Sequence, residues 1–183
     1  ELHVLVDDVN RPPHYANIDG FPGALVDAKE TAEAALERTA KEKAGLSNVF
    51  YEQLYTFSAV DRDKRNRVVS VAYLCLVSPD QALVMDHGSA HFVPVSTIKK
   101  LAYDHNEMLT MAVSRLRGKL AYTTIAQFLL PRHFTLTELQ TVYEIILKHE
   151  LDKRNFRKKI LALDIVKDTG RVQEGVKNRP AAL

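Results

Sequence analysis

The chain has 183 residues, of which 46% are hydrophobic, a formal net charge of +2 and a single cysteine. That length allows one large or two small domains with an ordinary core. One cysteine excludes an internal disulfide, and no apolar run approaches the roughly 20 residues a membrane helix needs. With no secretory leader pattern at the start, a reducing, cytoplasmic setting without membrane attachment is expected.

In chain order, residues 2–6 alternate apolar and polar (Leu2, Val4, Val6) and predict a strand. Residues 10–23 read as a loop, marked by Pro12-Pro13, Asp19-Gly20 and Pro22-Gly23. Residues 30–44 predict a helix, rich in alanine and stopped by Gly45. Residues 49–57 and 68–77 carry β-branched and aromatic side chains and predict strands, separated by the charged loop 61–67. Short strands are expected near 83–85 and 91–95. Cys75, within the second of the longer strands, is expected to be a buried thiol. Tyr51, Tyr55, Phe57 and Tyr73 are expected to serve as core or pocket lining. His87 and His91 have the spacing of helical metal ligands, but Gly88 between them argues for a surface loop.

Near residue 100 the pattern turns to successive helices. Two domains are therefore expected, residues 1–100 of mixed α/β type and 101–183 mainly helical. Helices are predicted at 104–117 and 123–130. Thr135 and Glu138 then form a capping-box pair that opens a helix to about 147. After a turn at 148–151, Asp152 caps a last helix to about 163. Phe156, Ile160 and Leu163 fall at i, i+4 and i+7 and predict one buried stripe. The polar tail, 164–183, suits a two-stranded wing.

Charge is unevenly spread: ten basic and five acidic residues lie from Lys148 onward, leaving the earlier residues net acidic. The helix from Asp152 carries Lys153, Arg154, Asn155, Arg157 and Lys158 away from its apolar stripe. Anchored so, and preceded by a helix and a four-residue turn, it has helix-turn-helix character. Its basic residues are candidates for the DNA major groove, where Arg and Asn read base edges and Lys meets phosphate. A solvated charged face is the plainer alternative.

Residues 24–46 resemble the Nudix box, G-x5-E-x7-R-E-U-x-E-E-x-G-U with U a bulky aliphatic. Glu30, Arg38, Glu42, Gly45 and Leu46 match, whereas Ala24, Thr39, Ala40 and Lys43 depart from it. Nudix chemistry gathers several carboxylates on one helical face around divalent cations, which neutralise a diphosphate and activate water. Here Glu42 alone remains of that cluster. An ammonium at 43 repels a positive ion about 4 Å away by roughly 1 kcal/mol even in water. No catalytic residue, bound metal or other cofactor is expected. Standing alone, residues 30–45 also fit an ordinary amphipathic helix.

A second resemblance covers nearly the whole chain. Residues 103–107 (YDHNE), 129–131 (LLP), 134–140 (FTLTELQ), 143–144 (YE) and above all 151–159 (LDKRNFRKK) are similar to the Nudix-related transcriptional regulators of the NrtR type. Residues 52–54, 61–63 and 67–73 also match, and Asn178-Arg179-Pro180-Ala181 resembles the family's Gly-Arg-Pro-Ala wing segment. The resemblance implies a Nudix-like α/β/α sandwich followed by a winged helix-turn-helix. A Nudix-like sheet ordinarily has a strand ahead of this one, so further chain before Glu1 is expected.

The same resemblance implies a homodimer that binds a pseudo-palindromic double-stranded operator, with Arg179 added to the DNA contacts from the wing. Many members govern NAD metabolism and sense ADP-ribose or a related metabolite; others sense a pentose such as arabinose. Glu30, Arg38, Arg62 and Arg67 are the candidate ligand-binding residues, because arginines suit a diphosphate. Asp104-His105 is expected at the junction between domains. The competing expectation is a working Nudix hydrolase of ADP-ribose or another nucleoside diphosphate derivative.

Overall fold

In the computed structural model, which describes residues 1–83 and 89–170, the first element is strand β1 (His3–Arg11). It is longer than the expected strand, because it is paired on both sides. Strand β2 (Tyr15–Gly20) lies antiparallel along one edge and strand β5 (His91–Pro94) along the other, giving the order β2-β1-β5. The loop expected at 10–23 is thus corrected: its middle is a strand. Asn17 has a positive φ of 48° and the ladder shifts register between Val9 and Arg11, so β2 lacks a clean sequence pattern. Pairing with β1 and burial of Tyr15 and Gly20 hold it in place. At Gly20 an added Cβ would sit 2.7 Å from Val9 Cγ2 and 3.2 Å from His105 Nδ1, so this close approach requires glycine.

Helix α1 (Ala32–Ala44) starts slightly later than expected, because Thr31 is its N-cap and accepts from the Ala34 N–H. Gly45 ends it in the left-handed region (φ 62°). Leu46 N–H then reaches Ala40 O and Gly45 N–H reaches Lys41 O, the paired bonds of a Schellman end. Strands β3 (Phe50–Phe57) and β4 (Ser70–Leu76) form a separate antiparallel pair. Phe57 is core, as expected, whereas Tyr55 is half exposed. Tyr51 and Tyr73 lean edge to face and donate their hydroxyls to Glu37 and Glu33. Burial raises Tyr73 to about 12, with Glu33 adding to the effect, and raises the Cys75 thiol to about 11.

Of the strand expected near 83–85, only Leu83 lies among the described residues. Residues Pro79–Leu83 form a short helix, α2. Ser78 and Gln81 exchange backbone and side-chain bonds across its first turn, and Pro79 takes the first helical position. The rest of that stretch, with Met85 and His87, lies outside the described residues.

The chain divides into two compact units, Glu1–Arg115 and a second beginning at Leu116. The division falls inside helix α3 (His105–Lys119), later than the change of sequence pattern near 100. The first unit buries Val6, Leu54, Phe57, Leu76, Leu101 and Met108. The second buries Leu116, Leu120, Ile125, Leu139, Ile146 and Ile160. The short helix expected at 123–130 is a 3-10 turn, Ile125–Leu129. Among the described residues no helix is long and apolar enough to cross a membrane.

Helix α4 (Leu136–Leu147) opens on the full capping box of Thr135 and Glu138. Helix α5 (Lys153–Ala162) opens on Asp152, whose carboxylate accepts from Asn155 N–H at 2.8 Å. Leu163 is not part of the buried stripe: α5 stops at Ala162, and Leu163, its C-cap, is 53% exposed. Of the wing expected over 164–183, residues 164–170 form no strand, and the rest, with Arg179, lies outside the described residues.

Candidate functional site

Of the candidate ligand residues, the structure brings Glu30 and Arg38 together. Arg38 Nε donates to Glu30 Oε2 at 3.1 Å and Nη2 donates to Leu25 O at 3.1 Å. Glu30 also accepts the Asp27 N–H at 2.8 Å, and Arg38 Nη1 reaches Glu42 at 3.5 Å. This ring ties the loop before α1 to the helix. The Arg38 guanidinium, then the Asp27 N–H, hold Glu30 below the usual carboxylate range, and Glu30 in turn raises Arg38.

The positions that depart from the Nudix box turn elsewhere. Thr39 is buried, and its hydroxyl donates back to Ala35 O at 2.6 Å. Lys43 Nζ lies 2.8 Å from Asp7 Oδ2 on β1, and the Ser89 hydroxyl donates to the other Asp7 oxygen. Burial alone would raise Asp7; the bonds from Lys43 and Ser89 outweigh it and hold the carboxyl below its ordinary value. Of the paired carboxylates late in the box a divalent cation would find one, Glu42, and it, like Glu30, already leans on Arg38. Among the described residues no group of three or more His, Cys, Asp or Glu is placed to hold a metal. These side chains do not fit the metal that Nudix chemistry uses.

Arg62, a candidate ligand contact, is engaged within the fold. It is buried, and its Nε and Nη2 form a two-pronged pair with Asp104 at 2.8 and 2.7 Å. Arg67 is exposed and donates to Ala59 O and Val68 O. Around Arg62 the loop is tied down further. Asp63 pairs with Arg65, Arg65 lies over the rings of Tyr15 and Tyr103, and Tyr15 Oη accepts from Lys64 N–H.

Asp104 and His105 belong to the first compact unit rather than to its boundary. His105 is buried, stacks on Phe21 with ring centroids 5.1 Å apart, and accepts the Phe21 N–H at Nδ1 (2.8 Å). Burial lowers its pKa to about 4. A charged imidazole is therefore disfavoured in the fold and free to form in the unfolded chain. Stability is full above pH ~6.5 and is lost as pH falls toward 4, by about 3 kcal/mol in all. Denaturant titrations at successive pH values should show this slope in wild type and lose it in His105→Gln. A flat wild-type profile between pH 6.5 and 4.5 would mean that the ring is not held neutral.

In the second unit, Phe156 and Ile160 bury one side of α5, and Phe156 packs edge to face on Tyr143 of α4 at 5.2 Å. Lys153, Arg154, Asn155, Arg157 and Lys158 are all exposed. The turn between α4 and α5 is clamped: Glu144 accepts from Leu151 N–H at 2.9 Å, and Gln140 donates to both Glu144 and Leu151 O. The Leu151 N–H, then Gln140, hold the Glu144 carboxyl below its usual range. Two packed helices, a fixed turn and an exposed basic first turn are the parts of a recognition motif.

Two family models match the chain: a NUDIX domain over residues 4–111 and the NrtR DNA-binding winged helix domain over 126–183. An ADPR responsive transcriptional repressor, NtrR, of Acinetobacter baylyi is 34% identical over 169 residues, which is 89% of this chain and 67% of that protein. The chain belongs to the NrtR family of Nudix-related regulators. A crystal structure of Shewanella oneidensis NrtR complexed with a 27mer DNA matches with a TM-score of 0.86 at 30% identity, over 98% of this chain and 84% of that one. An ADP-ribose pyrophosphatase of Methanocaldococcus jannaschii is 30% identical over 107 residues, 58% of this chain and 62% of that protein.

The NrtR frame is thus held by residues that sequence reading did not single out as partners. Asp7, fixed by the Ser89 hydroxyl, pairs with Lys43, Asp104 fills the fork of Arg62, and Gln140 with Glu144 fixes the helix-turn-helix turn. Asp7 had no visible signal, since its partner is remote in sequence. Gln140 and Glu144 had one, a polar pair at i, i+4 on a helix that otherwise buries its apolar face.

Proposed function

We propose that the chain is an effector-controlled, DNA-binding transcriptional regulator whose Nudix domain senses rather than cleaves. The observation that carries this is α5: a helix fixed by Phe156 and Ile160 and by the clamped turn, with five exposed DNA candidates along its first turns. The DNA-binding winged helix model and the DNA-bound Shewanella relative support the same reading. Lys153, Arg154, Asn155, Arg157 and Lys158, joined by Arg179, contact the operator. The protein acts in the cytoplasm as a homodimer on a two-fold operator, the arrangement that helix-turn-helix proteins use to read two half-sites.

The effector is ADP-ribose or a related NAD-derived diphosphate, as the name of the Acinetobacter relative suggests for that protein. The genes controlled are those of NAD metabolism. Of the four candidates Arg38 and Arg67 are the ligand contacts, while Glu30 holds Arg38 and Arg62 fastens the 61–67 loop through Asp104. Effector binding favours one arrangement of the protein and shifts operator affinity; such coupling is typically about 1–3 kcal/mol.

The pyrophosphatase relative favours a second reading, hydrolysis of ADP-ribose. Incubating the protein with ADP-ribose and Mg2+ and assaying AMP separates the two, since turnover at enzymatic rates belongs to the hydrolase alone. For the regulator, Arg154→Ala and Arg157→Ala should each lower specific operator affinity by about 1–3 kcal/mol. Mobility-shift titrations read this directly, and unchanged binding in both variants refutes α5 as the recognition helix.

A further inference from the structure

Lys43 occupies a box position that a metal-binding glutamate holds in the Nudix hydrolases. The consequence is larger than loss of a ligand. A glutamate there would recruit a cation from solution; a lysine is itself the cation, attached by a covalent stem. Its ammonium is seated on Asp7 at 2.8 Å, and Asp7 is fixed from its other side by Ser89. Asp7 is buried in β1, so the charge beneath Lys43 is set by the sheet, not by a mobile surface group. Yet the Lys43 side chain stays 39% exposed, and an ammonium has three donors, of which Asp7 takes one. Lys43 lies in the last turn of α1, one helical turn beyond Thr39, on the segment that carries Arg38 and Glu42. This is a positioned positive charge in the place where a diphosphate would otherwise meet a metal ion.

We infer that Lys43, seated on Asp7, replaces the divalent cation as the charged contact to the effector's diphosphate, so that effector binding needs no metal. The inference rests on the reading that the effector carries a diphosphate. Substituting an ammonium for Mg2+ keeps electrostatic attraction to phosphate oxygens. It removes the ion that would polarise the phosphorus and lower the pKa of an attacking water. Lys43 thereby keeps the binding charge while, with Thr39, it removes the carboxylates that cleavage would need. The seat also sets the strength of the contact: phosphate competes with Asp7 for the same ammonium.

The test is calorimetric titration of the full chain with ADP-ribose, in EDTA and again in excess Mg2+. Wild type should bind with the same affinity in both, within about twofold. Lys43→Met should weaken binding by about tenfold or more in both buffers, the effect of deleting one charge-assisted bond. Lys43→Arg should restore most of it. Because Lys43→Met strands the Asp7 charge, the double variant Asp7→Asn/Lys43→Met is titrated alongside, and it too should bind weakly. Wild-type binding that requires Mg2+, or wild-type affinity in the double variant, overturns the role of Lys43 and leaves the diphosphate reading standing. No binding by wild type in either buffer overturns the diphosphate reading itself, and this inference with it.

Discussion

Replacing Arg62 by alanine should destabilise the N-terminal unit by about 3–5 kcal/mol, the usual cost of breaking a buried ion pair from one side. The Arg62 and Asp104 side chains are 5% and 11% exposed, so neither charge is well hydrated. Their two short bonds use the guanidinium fork, and Asp104 is left alone in the protein when that fork is removed. The partner deletion, Asp104→Ala, should cost a similar amount for the same reason. The pairing of Arg62→Met with Asp104→Leu should recover much of the loss, because an apolar pair leaves no charge behind. Arg62→Lys should fall between, since an ammonium cannot form the bidentate bond. Urea melts of the four variants measure this. A loss below ~1 kcal/mol in both single variants would mean that water reaches the pair and that it is worth no more than a surface bridge. The expectation matters for function because Arg62 opens the loop that carries Arg65 and Arg67. The pair ties that loop to the residue just before α3. One candidate ligand residue, Arg62, thus fastens the loop that carries another, Arg67.

How much of this was legible in the sequence depends on how local the determining interactions are. Helix α4 was legible to its first residue, because a capping box is satisfied entirely within four positions. The Asp152 cap and the burial of Phe156 and Ile160 followed from spacing alone. Strand β2 was hidden, because its turn-forming residues speak for a loop and only pairing with β1 overrules them. Helix α2 did leave a signal, Ser78-Pro79-Asp80-Gln81, a reciprocal cap with proline at the first helical position. Leu163 shows the limit of periodicity: the stripe continues in the sequence after the helix has ended.

The functional site shows the same division. That Thr39 and Lys43 stand where the Nudix pattern has glutamates is read from spacing and needed no structure. What they do instead needed one, since Thr39 turns inward to its own helix while Lys43 crosses to a different strand. An arginine is also ambiguous in a sequence. Arg38, Arg62 and Arg67 all have the chemistry to bind phosphate, yet their surroundings differ: a ring with Glu30, a buried carboxylate, and backbone carbonyls at the surface. Carboxylate partners, unlike apolar stripes, have no periodicity that would reveal them.

Phe156→Ala should cost the C-terminal unit about 3–5 kcal/mol, and with it operator binding. Phe156 is 6% exposed and packs edge to face on Tyr143, so truncation loses both the buried ring and the aromatic contact. The neighbouring stripe has no reserve: Ile160 is already 1% exposed, and Leu163 lies half in solvent beyond the helix end. A small helical unit rarely holds more than several kcal/mol in total. The expected result is therefore a C-terminal transition that melts near room temperature or is missing. The N-terminal unit has its own core, and two units need not unfold together. Its transition, and the stabilisation it gains from ADP-ribose, should persist in the variant. Phe156→Leu keeps most of the volume and should cost under about 1.5 kcal/mol while retaining DNA binding. Operator affinity in Phe156→Ala within twofold of wild type would show that α5 is held by something other than this stripe. Loss of effector response together with DNA binding would show that the two units unfold as one.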